Sequence, residues 1–158
     1  MNRRSKLALI VMSAALATQA TAATAPDAKL WNGTWHLNAG ASKFGAPAKE
    51  QSETRTYDYS RGKLSMKSSF KDANGKETNF SYSAGLDGKW YPMTGNPNAD
   101  SISLTAVSSR ELKASSRLHG KLTVQSTATV SADGKHLTLK RTYVALKGKP
   151  IEVLEFNR

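Results

Sequence analysis

Gly120-Lys121-Leu122-Thr123-Val124-Gln125-Ser126-Thr127-Ala128-Thr129-Val130-Ser131-Ala132-Asp133-Gly134-Lys135-His136-Leu137-Thr138-Leu139 decides the fold. Two runs alternate apolar and polar residues, and Ala132-Asp133-Gly134 separates them. Period two is the mark of a strand buried on one face, and Asp-Gly supplies the backbone angles of a tight turn. The stretch therefore reads as two antiparallel strands joined by a hairpin.

The same Gly-Lys punctuation recurs at Gly62-Lys63, Gly75-Lys76, Gly88-Lys89, Gly120-Lys121, Gly134-Lys135 and Gly148-Lys149, with spacings of 13, 13, 32, 14 and 14 residues. One strand plus one turn fills each short interval. Alternation continues through Leu64-Met66-Ser68-Phe70, Thr78-Phe80-Tyr82, Ile102-Leu104-Ala106, Leu112-Ala114-Ser116-Leu118 and Leu137-Leu139-Arg141-Tyr143. No helical stripe interrupts it. About ten strands are predicted, near 33–38, 51–60, 63–71, 76–83, 89–93, 101–107, 110–118, 121–131, 135–145 and 149–157. The fold class is all-β, an antiparallel up-and-down meander of about 8–10 strands closed into a barrel. Closure removes the two exposed edges that an open meander would leave; a β-sandwich is the alternative. Trp90-Tyr91-Pro92-Met93-Thr94-Gly95-Asn96-Pro97-Asn98 breaks the rhythm. Its prolines argue against a central strand, and its rings are expected to close a barrel mouth or cover a core end.

The N-terminus has the three parts of a secretory signal: Arg3, Arg4 and Lys6, an apolar core Leu7–Ala17, then small residues. That core is too short to span a bilayer as a helix, for which about twenty residues are needed. Cleavage is expected after Ala22, because cutting after Ala25 would put Pro26 next to the scissile bond. Arg3-Arg4 raises a twin-arginine reading that the following residues fit poorly. The domain organisation is thus 1–22 signal peptide, 23–30 flexible N-terminal segment and 31–158 a single β-barrel domain, and the expected location is periplasmic or secreted. Removing 1–22 takes three of the 23 Lys and Arg and none of the 12 acids, so the remaining 136 residues carry a net charge of +8. The cations are spread singly, with no run of five, which suits a solvated surface; an anionic envelope polymer or lipid is the partner such a charge could serve. No nucleic-acid motif is present. There is no cysteine, so no disulfide holds the domain.

Catalytic and metal motifs are lacking. His36, His119 and His136 have no paired spacing, no Gly-x-Ser-x-Gly elbow occurs, and the acids, Glu152 among them, are read as solvated residues beside turns and strand ends. The expectation is a non-enzyme without metal or cofactor. The inward faces mix apolar residues with Ser68, Ser116, Ser126, Arg141, Tyr82 and Tyr143, and Arg55, Tyr57 and Tyr59 alternate together on another strand. Small and polar inward positions suit a cavity. Tyr57, Tyr82, Arg141 and Tyr143 are the candidate ligand-binding residues, with Tyr91 at the mouth. The arginine suggests a partly apolar ligand bearing an anionic group. The alternative is a filled core whose basic exterior meets anionic polymers or lipids.

Several motifs carry a family resemblance. Gly33-Thr34-Trp35-His36-Leu37-Asn38 with Ser42-Lys43-Phe44, then Asp87-Gly88-Lys89, Tyr91-Pro92-Met93-Thr94-Gly95 and Ser131-Ala132-Asp133-Gly134-Lys135-His136-Leu137-Thr138, resemble in order an exported bacterial lipocalin-like family of uncharacterised function. His36 replaces a Lys of that pattern and Met93 a Val. Gly-x-Trp also resembles the opening of lipocalins and other calycin barrels. The resemblance implies that Trp35 closes the barrel floor against a late-strand arginine, Arg141 or its rival Arg158, as a cation–π pair.

Overall fold

The computed structural model describes residues 24–45 and 50–158; the signal peptide read over 1–22 lies outside them. A one-turn helix, α1 (Ala28–Trp31), precedes ten strands: β1 (Gly33–Leu37), β2 (Glu50–Ser60), β3 (Lys63–Asp72), β4 (Glu77–Gly85), β5 (Asp87–Thr94), β6 (Ser101–Ser108), β7 (Glu111–Leu118), β8 (Lys121–Val130), β9 (His136–Thr142) and β10 (Ile151–Asn157). Each strand is antiparallel to the next, and β1 pairs with β10, so the meander closes into a barrel. The lipocalin-type topology expectation holds at the level of a closed antiparallel barrel.

Turn chemistry sets this architecture. All six Gly-Lys glycines have positive φ, between 70° and 79°. In the β2–β3 and β7–β8 hairpins the preceding residue, Arg61 or His119, also has φ 50°. Two successive positive φ values define the turn whose twist matches two adjoining strands. The seam is the thinnest closure. Only His36–Asn157 and Leu37–Phe156 pair there, and after the bend at 39–41 the chain pairs with β10 again through Lys43–Val153.

α1 lies across one end, which we call the floor. Asp27 caps it, accepting from the Lys29 amide, and the Asp27 amide reaches the Ser109 carbonyl in the β6–β7 hairpin. Trp31 and Trp35 are fully buried there with Leu64, Val130, Leu137 and Leu154. The Trp31 indole donates to the Ser109 carbonyl at 3.0 Å and the Trp35 indole to the Trp31 carbonyl at 3.2 Å. The helical turn occupies the end of the segment that the sequence leaves without regular structure. It is too short for periodicity to reveal.

The floor arginine is Arg158, not Arg141. Its guanidinium carbon lies 4.5 Å from the centroid of the Trp35 ring, and it donates to the carbonyls of Asn32 (2.8 Å) and Lys29 (3.3 Å). Arg141 points into the barrel and binds carboxylates instead. Arg158→Ala is expected to cost about 1 kcal/mol, given an exposed cation over an indole plus two hydrogen bonds. A urea midpoint unchanged within error would show that the stacked pair contributes nothing.

The aromatic–proline segment also departs from expectation. Residues through Thr94 belong to β5, and only the turn beyond Gly95 is a loop. Met93 donates its amide to the Asp100 carbonyl, towards β6, so the missing N–H of Pro92 faces β4. The β4–β5 ladder contains only Ser81–Thr94 and Tyr82–Met93 and ends just before that proline. A strand tolerates proline where its ladder has already stopped.

Candidate functional site

A cavity of about 370 Å³ runs inside the barrel from Trp31 at the floor to Asn96, Asn98, Ala145 and Leu146 in the loops of the opposite rim. The interior is therefore not filled, contrary to the filled-core alternative. Its walls are unequal. On β2–β5 the inward rows are Tyr57–Met66–Tyr82–Met93 and Arg55–Ser68–Phe80, each aligned across neighbouring strands. On β7 and β8 the lining includes the small residues Ala114, Ser116, Ser126 and Ala128, flanked by Leu112, Leu118 and Val124. Small side chains on one wall create the space, and large rings on the other shape it.

A network of charges stands at one side of the cavity. Glu53 and Glu152 are almost completely buried, at 3% and 0% exposure. Arg55 Nε donates to Glu53 Oε1 at 2.5 Å, and the Ser68 hydroxyl donates to the same oxygen at 2.6 Å. Arg141 lies between the acids: Nη1 is 3.2 Å from Glu152 Oε2 and Nη2 is 3.7 Å from Glu53 Oε2. The Tyr143 hydroxyl donates to Glu152 Oε2 at 2.7 Å. Desolvation, the largest influence, together with the neighbouring carboxylate outweighs the opposing effect of Arg141 and pushes the Tyr143 phenol up to about 12, so it stays protonated. Arg55 Nη1 also donates to the Tyr57 hydroxyl at 3.3 Å, and its guanidinium carbon lies 5.4 Å from the Phe156 ring centroid and 5.9 Å from that of Phe80. Two carboxylates and two guanidinium groups leave these four residues with no net charge.

Four of the five candidate binding residues line the cavity together: Tyr57, Tyr82, Arg141 and Tyr143. Tyr91 does not. It packs towards the floor beside the end of β4, with its hydroxyl 3.1 and 3.2 Å from the Asp87 carboxylate oxygens. Gly85 makes that position possible, since a Cβ there would sit 2.5 Å from the Tyr91 hydroxyl oxygen. Trp90 lies on the outer face, with the Arg117 guanidinium carbon 4.1 Å from its ring centroid. Neither ring closes the mouth.

Sequence reading missed Glu53 and misjudged Glu152. Glu152 is not solvated at a strand end; it faces inward in the same alternation as Leu154 and Phe156. Glu53 likewise shares the inward parity of Arg55 and Tyr57. Strict alternation was the available signal, and it was overridden by the general preference of carboxylates for water. Among the described residues, no group of three or more His, Asp or Glu side chains is placed to hold a metal ion.

No family model and no curated protein matches this sequence. Among solved structures, the chain is similar to a redesigned β-barrel, mFAP1, determined bound to DFHBI: 12% identity and a TM-score of 0.45, covering 83% of this chain and 97% of that one.

Proposed function

We propose that this protein is an exported, lipocalin-like binding protein that holds a small, largely apolar molecule inside its barrel, without catalysing a reaction. The observation that carries the reading is the cavity itself: about 370 Å³, bounded by Met, aromatic and aliphatic side chains with Ala and Ser among them, and with hydroxyls and a charge network at fixed places. Binding sites commonly combine an apolar lining with a few oriented polar groups. Export rests on the tripartite N-terminus and gives a periplasmic or secreted location.

Arg141 alone would favour an anionic ligand. Its charge is already matched by Glu152 and Glu53, so an added carboxylate would enter a balanced network and bring an uncompensated charge. The ligand expected here is neutral.

Native mass spectrometry of the protein purified from its own envelope fraction tests the reading. A reproducible added mass that disappears on denaturation is the expected result. Ala114→Leu, which places a larger side chain on the small wall, should abolish that mass while leaving the fold intact, since extra volume in an unfilled space costs little. Retention of the same mass by Ala114→Leu would place the ligand elsewhere. A bare wild-type protein that also takes up no apolar probe would remove the proposal.

A further inference from the structure

Resting on the cavity reading, we propose that the Tyr57 and Tyr82 hydroxyls form a subsite for the carbonyl oxygen of a flat, neutral ligand. Both side chains line the cavity on its aromatic wall. They occupy one inward row, Tyr57 opposite Met66 and Met66 opposite Tyr82, so one strand separates them. Their Cα atoms then lie about 10 Å apart, twice the spacing between strands, and two phenols of that separation can aim at one acceptor.

Their hydrogen bonding leaves protons to give. Tyr82 makes no hydrogen bond to the described residues, although it lines a largely apolar cavity. Its hydroxyl therefore has a proton to give, and a ligand acceptor in the cavity would take it. The Tyr57 oxygen accepts from Arg55 Nη1 at 3.3 Å, which polarises its O–H and leaves that proton available for an acceptor. Burial chiefly, and Tyr57 next, hold the Tyr82 phenol well above its ordinary range against the opposing pull of Arg55, so it offers a proton rather than an anion.

The matching chemistry is an uncharged acceptor. Arg55 is paired with Glu53 and flanked by the Phe80 and Phe156 rings, so it acts on Tyr57 as a neighbour whose charge is already balanced. A carbonyl can accept from two phenols at once, through its two lone pairs. The small residues Ala114, Ser116, Ser126 and Ala128, set among Leu112, Leu118 and Val124, leave room for a planar body lying along Met66 and the tyrosine rings.

The test uses acetyl(dimethylamino)naphthalene, a flat neutral ketone whose emission moves to longer wavelength when its carbonyl accepts hydrogen bonds. Its ethyl analogue, which lacks the oxygen, is the control. The intact protein should bind the ketone about three- to tenfold more tightly than the ethyl compound, the ratio one or two neutral hydrogen bonds supply. Tyr82→Phe removes one of the two donors, so it should lower that ratio and shift the bound emission to shorter wavelength. Equal affinity for the two probes in the wild type, or unchanged ketone emission and affinity in Tyr82→Phe, would overturn the subsite and leave the cavity reading standing. Failure of both probes to bind the wild type would overturn both. The wild-type comparison alone decides the matter should Tyr82→Phe fold poorly.

Discussion

Arg141→Met is expected to lower the unfolding free energy by about 3–5 kcal/mol at neutral pH, the cost of stranding a buried charge by removing its partner. The guanidinium stands between two carboxylates that solvent scarcely reaches, at 3.2 Å from Glu152 and 3.7 Å from Glu53. Without it, Glu53 keeps Arg55, but Glu152 keeps, among the described residues, only the Tyr143 hydroxyl. One oxygen of Glu152, Oε1, has no hydrogen-bond partner among the described residues even with Arg141 in place, so this carboxylate has little else there to compensate it. Methionine fills a comparable volume, so the loss reports charge more than packing.

A double variant separates these effects. Arg141→Met with Glu152→Met removes one cation and one anion together and leaves the Glu53–Arg55 pair balanced. It should lie within about 1–2 kcal/mol of the parent, far above the sum of the single losses, because replacing a whole buried pair by apolar residues is often close to neutral. Urea unfolding of the parent, both single variants and the double variant supplies the cycle. A single Arg141→Met variant losing less than about 1 kcal/mol, or a double variant as unstable as the sum, would mean that the network is not the electrostatic unit described here.

The fold was readable because its determinants are local. Five of the six Gly-Lys pairs mark turns by their own backbone requirement, while Gly88-Lys89 lies at the irregular start of β5, and each inward row shows its own alternation, so strand count and order followed without knowledge of distant contacts. The site needed more. Parity alone puts Arg141 inside the barrel, but its height there depends on pairing with β10 at Glu152, one inward row above Leu139–Leu154. That register separates it from Trp35 and leaves the floor to Arg158. Tyr91 shows the same limit. Its place in the chain next to two prolines suggested a mouth, whereas the direction of β5 and the open space at Gly85 take its ring towards the floor. Glu53 and Glu152 could have been found by following parity without exception. The tyrosines, being both apolar and polar, were compatible with the cavity on either argument.

Trp31→Ala should cost about 3–5 kcal/mol, as expected for deleting a fully buried indole, although the residue lies in a four-residue helix that the strand pattern does not foreshadow. Trp31 is 0% exposed, joins α1 to the β6–β7 hairpin through its bond to the Ser109 carbonyl, and meets Tyr57 edge-on at 5.8 Å between ring centroids. It also lines the cavity from below. Truncation would thus extend the cavity towards the floor and withdraw a support from one of the two tyrosines assigned to the carbonyl subsite. Trp31→Phe keeps a ring but leaves the Ser109 carbonyl without its indole donor, and should recover all but about 1–2 kcal/mol. Urea unfolding followed by far-ultraviolet circular dichroism measures both variants independently of the lost tryptophan fluorescence. If Trp31→Ala unfolds within about 1 kcal/mol of the parent, α1 is an appendage and the barrel closes on Trp35 and Arg158 alone. A full loss, with Trp31→Phe between the two, makes the helical turn a structural part of the cavity floor, which the ligand site then depends on as much as on the strands.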